Sequence, residues 1–508
     1  MTSPVISPRA LVLGLGDSGL AMARFLVSRG FAVRVADTRV DPPRLATLQA
    51  EVSEATFIGG EFTAALLDDV QLVALSPGLS PTRSAAAPLV KAALKRKIEM
   101  VGEIELFARE LARLKTEQGY APKIIGVTGT NGKTTTTRLA GAMIAAAGKR
   151  VEVAGNISPA ALDALRARLA DADLPEVWVL ELSSFQLATT RSLVSDAAAV
   201  LNVTEDHLDW HDTMQDYVAA KAKIFEARAV GAKTPGARTA QILNRDDPAV
   251  VAMTSRHGNV VTFGRDAPAA DNAYGIVVDN GVAWLAWAQA LDTSVRRRKG
   301  LDPVPAPELL VHRLMPVDAL AIRGLHNAMN ALAAIALARA IGCPLAPMMH
   351  ALRRYRGEAH RLQRVATIDG VEYYDDSKGT NVGATVAAVE GLVAAGRKLI
   401  VILGGDGKGQ DFSPLAAPVS QHTRLAILIG RDAPLIRQAL ETRVGPKALV
   451  DAATLEQAVS IAAKHAQQGD AVLLSPACAS FDMFRNYAHR GDTFADAVLE
   501  LATPELSC

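Results

Sequence analysis

A chain of 508 residues is too long for a single hydrophobic core, and this length predicts about three domains. Its hydrophobic content of 49% and charged content of 21% are typical of a folded globular protein and exclude a disordered one. The net charge of +1 gives no electrostatic reason to expect binding to nucleic acid or to an anionic membrane.

The chain also lacks the sequence marks of a secreted or membrane protein. No uncharged apolar run reaches the ~18 residues of a membrane span, and Asp17 interrupts the apolar N-terminus before a signal-peptide core forms. The cysteines, Cys343, Cys478 and Cys508, are odd in number and lack metal-ligand spacing. We therefore expect a cytoplasmic protein without a disulfide framework or a zinc site.

Short apolar runs that end in Gly, Ser or Asp alternate with amphipathic or Ala-rich stretches along the chain. Three of these runs are "ALVLGLG" from Ala10, "KIIGVTG" from Lys123 and "KLIVILGGDG" from Lys398. This alternation predicts mainly parallel sheets with helices on both faces. Since ligands bind beyond the carboxyl ends of such strands, the polar residues that close each run are the candidate site residues.

The first such run ends in "GLGDSG", which places Gly14, Gly16 and Gly19 in G-x-G-x-x-G register before a predicted helix. This pattern predicts a Rossmann-like domain whose helix N-terminus faces a pyrophosphate. A nucleotide or nucleotide-sugar, NAD(P), and a purely structural turn are the three alternatives. In "DTR" after the second strand, Asp37 suits a ribose and Arg39 suits a phosphate.

The sequence "GVTGTNGKTTTT" resembles a P-loop with altered spacing. A strand leads through a glycine-rich turn to Lys133 and Thr134 and then into a helix, but Val127 stands where the usual motif has its first glycine. Backbone N–H groups of the turn can surround an anion, Lys133 can reach terminal phosphates and Thr134 can ligate magnesium. We predict a triphosphate-binding loop in a P-loop ATPase-like central domain.

Magnesium ligands are expected at neighbouring strand ends. Glu181 closes the apolar run "VWVL", where a buried carboxylate is costly unless a cation pairs with it. A second strand ends in "NVTEDHLDWH", which concentrates acidic residues with His207 and His211. Magnesium prefers oxygen ligands, so from the residues alone the role of a histidine here stays open.

The motifs "GVTGTNGKTTTT", "GNIS", "LELSSFQL", "NVTEDHLD" and "AAKAKIF" together resemble the Mur ligase family, ATP-dependent amide-forming enzymes of peptidoglycan precursor synthesis. The family has the shorter phosphate-loop spacing found here. The resemblance implies ATP and two Mg²⁺ ions as cofactors, Glu181 and His207 as metal ligands, and a carbamylated Lys221 as a further ligand. The implied ATP contacts are Gly129, Thr130, Asn131, Gly132, Lys133, Thr134, Thr135, Asn327 and Asn330.

Four later stretches, "HRLQR", "DDSKGTN", "LGGDGKGQDF" and "LLSPACASFDMFRNYAHRGDTF", resemble family members that add D-glutamate to UDP-N-acetylmuramoyl-L-alanine. Asp376 and Lys378 are then expected near ATP and the acyl centre, and Arg361 near the nucleotide. Tyr487 stands where a phenylalanine is usual. The implied substrate contacts are Gly14, Ser18, Asp37, Thr38, Arg39, Gly78, Asn156, Ser183, Thr380, Lys408, Ser480, Phe481 and Tyr487.

The resemblance implies phosphorylation of the substrate carboxylate by ATP, followed by attack of the amine of D-glutamate. Lys133, His207, Lys221, Asp376 and Lys378 are the expected catalytic residues. Rival hypotheses are another Mur-type or folylpolyglutamate-type ligase with a different amino acid, and a nucleotide-binding protein without catalysis.

The predicted fold class is α/β with three domains. We expect a UDP-substrate-binding Rossmann-like domain at 1–118 and a central ATP-binding domain at 119–357, with an irregular insertion at about 266–317. A dinucleotide-fold-like domain at 358–508 is expected to bind the incoming amino acid and to close on ATP. The expected partners are small molecules, without nucleic acid or a membrane span, and the expected state is a monomer.

Overall fold

The computed structural model describes residues 7–226, 239–254, 259–291, 308–393 and 397–502. The chain divides into two compact units, Met1–Pro316 with Asn330–Leu352, and Val317–Met329 with Arg353–Cys508. Two of the three sheets belong to the first unit and the third belongs to the second. No helix among the described residues is both long and apolar enough to cross a membrane.

Within the described residues, the first sheet has five parallel strands in the order β3-β2-β1-β4-β5. The strands are β1 (Arg9–Leu13), β2 (Ala32–Asp37), β3 (Thr56–Gly59), β4 (Val70–Leu75) and β5 (Glu99–Val101). The helices are α1 (Asp17–Ser28), α2 (Leu45–Glu51), α3 (Ala87–Lys95) and α4 (Glu103–Gln118). The strand order reverses between β1 and β4, so the ends of these two strands form the expected ligand crevice.

The turn after β1 requires a glycine for steric reasons. A Cβ at Gly19 would lie 1.9 Å from the carbonyl oxygen of Gly14, so the strand-to-helix turn closes only without a side chain there. This close approach brings the N-terminus of α1 directly to the end of β1.

The second sheet has nine strands in the order β14-β13-β12-β11-β10-β9-β6-β8-β7 among the described residues. Its strands are β6 (Lys123–Thr128), β7 (Val151–Gly155), β8 (Val177–Glu181), β9 (Ala197–Val200), β10 (Ala240–Asn244), β11 (Asn259–Phe263), β12 (Tyr274–Asp279), β13 (Val282–Ala290) and β14 (Leu309–Pro316). The helices here are α5 (Lys133–Ala146), α6 (Ala161–Ala170), α7 (Ser184–Ala188), α8 (Met214–Ala222), α9 (Pro248–Val251), α10 (Leu325–Ala340) and α11 (Leu345–Arg354). The pairs formed by β6 to β12 are parallel, whereas β13 pairs antiparallel with β12 and β14.

The segment predicted to be an irregular insertion contains β12, β13 and β14, so that prediction was wrong for its described part. Asn280 and Gly281, with φ of 50° and 78°, form the tight turn that joins β12 to β13. An Asn-Gly pair favours a two-residue hairpin turn because both positions need positive φ. The polar residues of this segment therefore belong to a hairpin turn and its flanking loops. Residues 292–307 lie outside the described part.

Helix α4 joins the first two sheets into one unit through buried carboxylates. Glu103 is 1% exposed and its Oε1 accepts a 2.9 Å hydrogen bond from the N–H of Leu162 in α6. Burial raises the pKa of Glu103 to about 7, although the hydrogen bonds from Leu162 and from the Gln186 side chain oppose this rise. Glu105 likewise accepts bonds from the N–H groups of Arg191 and Ser192. A buried carboxylate is tolerated only when such donors replace water, which explains why α4 is fixed against the second sheet.

The third sheet has six strands in the order β15-β16-β20-β17-β18-β19 in the part of the chain described. Its strands are β15 (Gln363–Ile368), β16 (Val371–Asp375), β17 (Leu399–Gly404), β18 (Thr423–Ile429), β19 (Leu449–Asp451) and β20 (Ala471–Leu474). Its helices are α12 (Val382–Gly391), α13 (Ala416–His422), α14 (Ala433–Val444), α15 (Leu455–His465) and α16 (Tyr487–Ala502). β15 is the antiparallel edge strand and the other pairs are parallel. The predicted α/β fold class with mainly parallel sheets is confirmed.

Candidate active site

A cavity of ≈630 Å³ opens in the first unit at the crevice between β1 and β4. The loops after β1, β2 and β4 form one wall, and residues 155–160 with Asp163 and Gln186 of the second sheet form another. Seven of the predicted substrate contacts line it: Gly14, Ser18, Asp37, Thr38, Arg39, Gly78 and Asn156. Ser183 does not line the cavity, because its hydroxyl caps α7 by accepting a hydrogen bond from the N–H of Gln186.

Asp37 and Arg39 form a polar pair on the cavity wall. Two hydrogen bonds of 2.8 Å join the Arg39 guanidinium to the Asp37 carboxylate, which also accepts a 2.7 Å bond from the N–H of Leu15. Burial alone would raise the pKa of Asp37, but the bonds from Arg39 and Leu15 outweigh it and lower the pKa to about 2. The pair is therefore ionised at neutral pH, with Arg39 held at the cavity by its partner.

The sequence did not single out several residues of this cavity. Phe62 contributes an aromatic surface, and Arg24 and Arg44 add positive charge. Arg24 lies on α1 and pairs with Asp163 of α6 at 2.9 Å, so it also connects the two walls. In the sequence Arg24 looks like an ordinary helix-surface residue, and only the packing of α1 against α6 brings it to this contact.

The predicted phosphate loop follows β6 and leads into α5. Gly132 has a φ of 83°, and a Cβ there would lie 2.3 Å from the Oδ1 of Asn330. The loop is fixed from the side of β9, because the N–H of Asn131 donates to Asn202 Oδ1 at 2.8 Å. The structure thus brings Asn330, a predicted nucleotide contact, against the loop. Asn327 lies in the second unit, where its amide donates to the carbonyl oxygen of Arg323.

Two lysines converge on the same loop carbonyl. Lys133 Nζ and Lys221 Nζ each donate to the oxygen of Gly129 at 2.9 Å, and Lys133 also donates to that of Thr130. Lys221 is only 1% exposed and its Nζ lies 4.3 Å from the centre of the Tyr217 ring. Burial, reinforced by the charge of Lys133, lowers the pKa of Lys221 well below its ordinary value. A buried amine of this kind is readily neutral and nucleophilic.

Glu181 lies at the end of β8, beside the phosphate-loop strand. Its Oε1 accepts a 2.8 Å hydrogen bond from the amide of Asn156, whereas its Oε2 is buried without a hydrogen-bond partner. Because an unsatisfied buried carboxylate oxygen is costly, this atom fits a cation ligand. Asn156 also lines the cavity, so one side chain connects the cavity to Glu181.

The predicted metal ligands suit a magnesium ion that also binds phosphate and water, and they do not suit a metal held by protein side chains alone. Among the described residues, no group of three or more His, Cys, Asp or Glu side chains could hold a metal ion. Magnesium is usually held by one or two carboxylates together with phosphate oxygens and water, which agrees with the single orphan oxygen of Glu181 next to a phosphate loop. Thr134, at the start of α5, is half-buried and supplies a hydroxyl.

His207 lies on the turn that follows β9. Its φ is 57°, which is uncommon for a residue with a side chain, and its ring packs edge-on against Phe185 at 4.7 Å. His211, by contrast, is buried and bonds to the hydroxyl of Ser184 at 2.9 Å. Burial lowers the pKa of His211 to about 4, so this imidazole is neutral.

In the second unit, Asp376 follows β16. Its carboxylate accepts a 2.7 Å bond from Ser475 and a 3.1 Å bond from the N–H of Leu362. Desolvation raises its pKa to about 7 despite these bonds. Lys378 Nζ lies 3.6 Å from the centre of the Tyr487 ring, so the tyrosine in place of a phenylalanine still offers an aromatic face to a cation.

The predicted D-glutamate contacts come from separate loops of the same unit. Lys408 is exposed on the loop after β17 with a φ of 51°, and its N–H bonds to Asp406. Ser480 is buried, whereas Phe481 is 71% exposed. Thr380 precedes α12 and Arg361 follows the left-handed His360. The roles of Thr380, Lys408, Ser480 and Phe481 as D-glutamate contacts, and of Arg361 as a nucleotide contact, stay predictions.

The chain matches three family domains. These are the Mur ligase MurD-like N-terminal domain at residues 8–102, the Mur ligase middle domain at 127–338, and the Mur ligase glutamate ligase domain at 360–478. Each of the three matches falls on a different sheet.

Curated relatives match over nearly the whole length. A UDP-N-acetylmuramoylalanine–D-glutamate ligase of Ralstonia nicotianae is 56% identical over 508 residues, which cover 99% of each chain. A protein of the same name from Burkholderia ambifaria is 56% identical over 504 residues, with 97% of each chain covered.

Solved structures share the fold at much lower identity. The UDP-N-acetylmuramate-alanine ligase of Thermotoga maritima is 19% identical with a TM-score of 0.55, and the match covers 97% of this chain and 99% of that one. A folylpolyglutamate synthase of Mycobacterium tuberculosis is 16% identical with a TM-score of 0.52, over 77% of this chain and 95% of that one. From the domain matches and the full-length relatives, we conclude that this chain belongs to the Mur ligase family.

Proposed function

We propose that the chain is an ATP-dependent ligase that adds D-glutamate to UDP-N-acetylmuramoyl-L-alanine in peptidoglycan precursor synthesis. The observation that supports this most strongly is the 56% identity, across 99% of both lengths, to a relative named for that reaction. The geometry agrees, because a cavity of ≈630 Å³ and a glycine-rich phosphate loop with two lysines lie in one compact unit.

The reaction requires activation of an unreactive carboxylate. A carboxylate oxygen of the L-alanyl group attacks the γ-phosphorus of ATP, the bond to ADP breaks, and an acyl phosphate forms. The amine of D-glutamate then attacks the acyl carbon, gives up a proton, and phosphate leaves with the oxygen it received from the carboxylate. Each step develops negative charge, so fixed positive groups and N–H donors lower its barrier.

The phosphate loop supplies these groups for ATP. Backbone N–H groups from Gly129 to Thr135 and the start of α5 surround the phosphates, and Lys133 neutralises their charge. Lys133 now donates to carbonyl oxygens of its own loop, so it is already directed at the space that the loop encloses. Asn330 borders Gly132 and would contact the nucleotide.

Magnesium would be held by Thr134, Glu181, His207 and Lys221 in its carbamylated form. When bound, the ions neutralise phosphate charge and polarise the transferred group. A neutral Lys221 amine forms an N–C bond to carbon dioxide and releases a proton, which leaves a carbamate anion as a ligand. The lowered pKa of this buried amine supports that assignment.

The cavity would take the uridine nucleotide-sugar, with its diphosphate at the N-terminus of α1 and Asp37, Thr38 and Arg39 on the nucleoside side. Asn156 would orient the carboxylate to be phosphorylated, since it reaches both the cavity and Glu181. In the second unit, Arg361, Asp376 and Lys378 would serve ATP and the acyl centre. The proposed D-glutamate contacts are Thr380, Lys408, Ser480, Phe481 and Tyr487.

The direct test is release of phosphate from ATP in the presence of UDP-N-acetylmuramoyl-L-alanine and one amino acid. We expect turnover with D-glutamate and none with L-glutamate, glycine or a diamino acid. Turnover with another amino acid instead would assign the chain to a different ligase specificity, and no turnover with any would favour a binding protein.

A single variant tests whether the phosphate loop and the nucleotide-sugar cavity have separate roles. Lys133→Ala should abolish phosphate release and leave calorimetric binding of the nucleotide-sugar within about twofold, because its loop is separate from the cavity walls. With ¹⁸O in the substrate carboxylate, one labelled oxygen should appear in the released phosphate; unlabelled phosphate would contradict carboxylate activation.

We further propose that the enzyme acts as a cytoplasmic monomer on small-molecule substrates, without a nucleic-acid partner. Light scattering during size-exclusion chromatography should give the mass of one 53.5 kDa chain. A mass of two chains would refute the monomer.

A further inference from the structure

The turn that bears His207 is fastened to the loop after β4, whose residues line the nucleotide-sugar cavity. The indole Nε1 of Trp210 donates to the carbonyl oxygen of Pro77 at 2.9 Å. In return, the hydroxyl of Ser80 donates to the carbonyl oxygen of Trp210, also at 2.9 Å. Both side chains are buried, Ser80 at 3% and Trp210 at 8% exposure, so water does not compete well for these bonds.

Arg83 adds a third connection from the same loop. Its Nη1 donates to the carbonyl oxygen of Leu208 at 2.7 Å, and its Nε lies 2.9 Å from the Asp212 carboxylate. We call the set formed by Ser80, Arg83 and Trp210 the latch. It connects a loop of the first sheet to a turn of the second, within one compact unit.

The latch also contacts His207 indirectly, through the ring of Phe185. The Trp210 ring stacks on Phe185 with centroids 4.8 Å apart, and Phe185 in turn packs edge-on against the His207 ring. The N–H of Trp210 donates to the carbonyl oxygen of His207 and closes the turn. His207 itself has the left-handed φ of 57°, a conformation that persists only where surrounding contacts enforce it.

We propose that Ser80, Arg83 and Trp210 are positioning residues that hold His207 in place for the ligase reaction. Their hydrogen bonds are with the backbone of the turn and of the loop, so they act through the turn. This inference rests on the proposed function for its kinetic readout, but the holding of the turn can be measured without turnover.

The test uses two variants on the full-length chain, Trp210→Phe and Arg83→Met, alone and combined. Trp210→Phe keeps an aromatic ring next to Phe185 and removes the indole N–H that bonds to Pro77. Trp287→Phe is its matched control, since Trp287 is also 8% exposed and donates through Nε1, to Asn272 Oδ1.

Arg96→Met is the control for Arg83→Met, because Arg96 forms a similarly exposed ion pair with Asp68 in the same domain. Arg83→Lys should behave more like the wild type than Arg83→Met does, because a lysine can again donate a hydrogen bond to the carbonyl oxygen of Leu208. The arginine substitutions nearly keep the side-chain volume, Trp→Phe loses the same volume at position 210 and at the control position 287, and thermal unfolding of each variant checks that it folds.

Hydrogen exchange is the first readout. In the combined variant, amides of the peptide spanning 205–213 should exchange about tenfold faster than in the wild type, and those of the two controls should not change. Equal exchange in the combined variant and the controls would overturn the latch.

Kinetics are the second readout. The combined variant should lose about 10- to 100-fold in kcat, because small displacements of a reacting group are costly. The KM for nucleotide-sugar should stay within about threefold, as expected when an interaction of the transition state is lost. Faster exchange with unchanged kcat, or a kcat loss equalled by loss of nucleotide-sugar binding, would overturn the positioning role.

An inactive wild type would reject the proposed function instead and would reject the positioning role with it. The exchange data would then still decide whether the latch holds the turn.

Discussion

The pair formed by Asp37 and Arg39 should contribute measurable stability to the first unit. The pKa of Asp37 falls from 3.8 to about 2, because the hydrogen bonds from Arg39 and Leu15 together outweigh burial, and this net change corresponds to about 2.4 kcal/mol. Because the Arg39 side chain is 53% exposed, solvent screens part of this interaction. We therefore expect Arg39→Met to cost about 1 to 2 kcal/mol at pH 7.

The sign of the pH dependence follows from the lowered pKa. Since the folded-state pKa lies below the unfolded value, the stabilisation is complete above about pH 4 and is lost as the pH falls through 2. The difference between wild type and Arg39→Met should therefore shrink as the pH is lowered from about 5 towards 2.

Urea unfolding followed by tryptophan fluorescence is the suitable assay. The chain has four tryptophans, Trp178, Trp210, Trp284 and Trp287, and all lie in the first unit, so the signal reports that unit. In an Asp37→Asn background, the same Arg39 substitution should cost less than about 0.5 kcal/mol, because the pair no longer exists.

Arg44→Met is the matched control, since Arg44 lines the same cavity but pairs with Asp17 where both side chains are exposed. It should change stability by less than about 0.5 kcal/mol. Equal costs of Arg39→Met in both Asp37 backgrounds, or a cost that does not vary with pH, would refute this account of the pair.

Three further predictions concern the proposed reaction. Gly132→Ala should weaken ATP binding about 100-fold in calorimetry, because the new Cβ would meet Asn330 at a φ of 83°, and unchanged ATP affinity would contradict the loop assignment. Glu181→Gln should raise the Mg²⁺ concentration for half-maximal phosphate release about tenfold with nucleotide-sugar binding preserved; an unaltered Mg²⁺ titration would remove Glu181 from the metal site. Lys408→Ala should raise the KM for D-glutamate about 10-fold or more while the KM for ATP is maintained, and equal changes in both would exclude a specific contact.

The sequence predicted the strands that end in candidate site residues, because apolar runs identify buried strands, whereas the roles of those residues stay predictions. The runs that close at Gly14 and Glu181 are continuous and apolar, as expected for strands buried on both faces, and each is a strand in the structure. The run that closes at Asp37 is a strand as well, although Arg34 interrupts its apolar pattern. The sequence did less well at the segment from 266, where Asn280-Gly281 is a hairpin turn within an extended sheet edge. The polar composition of the segment suggested an irregular loop, whereas the Asn280-Gly281 pair favours a hairpin turn.

What the sequence alone determined was the series of strand-ending motifs, since these depend on local periodicity and on the chemistry of glycine, lysine and carboxylate residues. Tertiary structure alone decided which distant groups meet. It left Glu181 Oε2 without a partner, brought Lys221 and Lys133 to one carbonyl, and fastened the His207 turn to the loop around Ser80. The physical reason is that burial and hydrogen-bond partners are set only when the chain packs. Packing places residues more than 80 positions apart in the same water-poor surroundings.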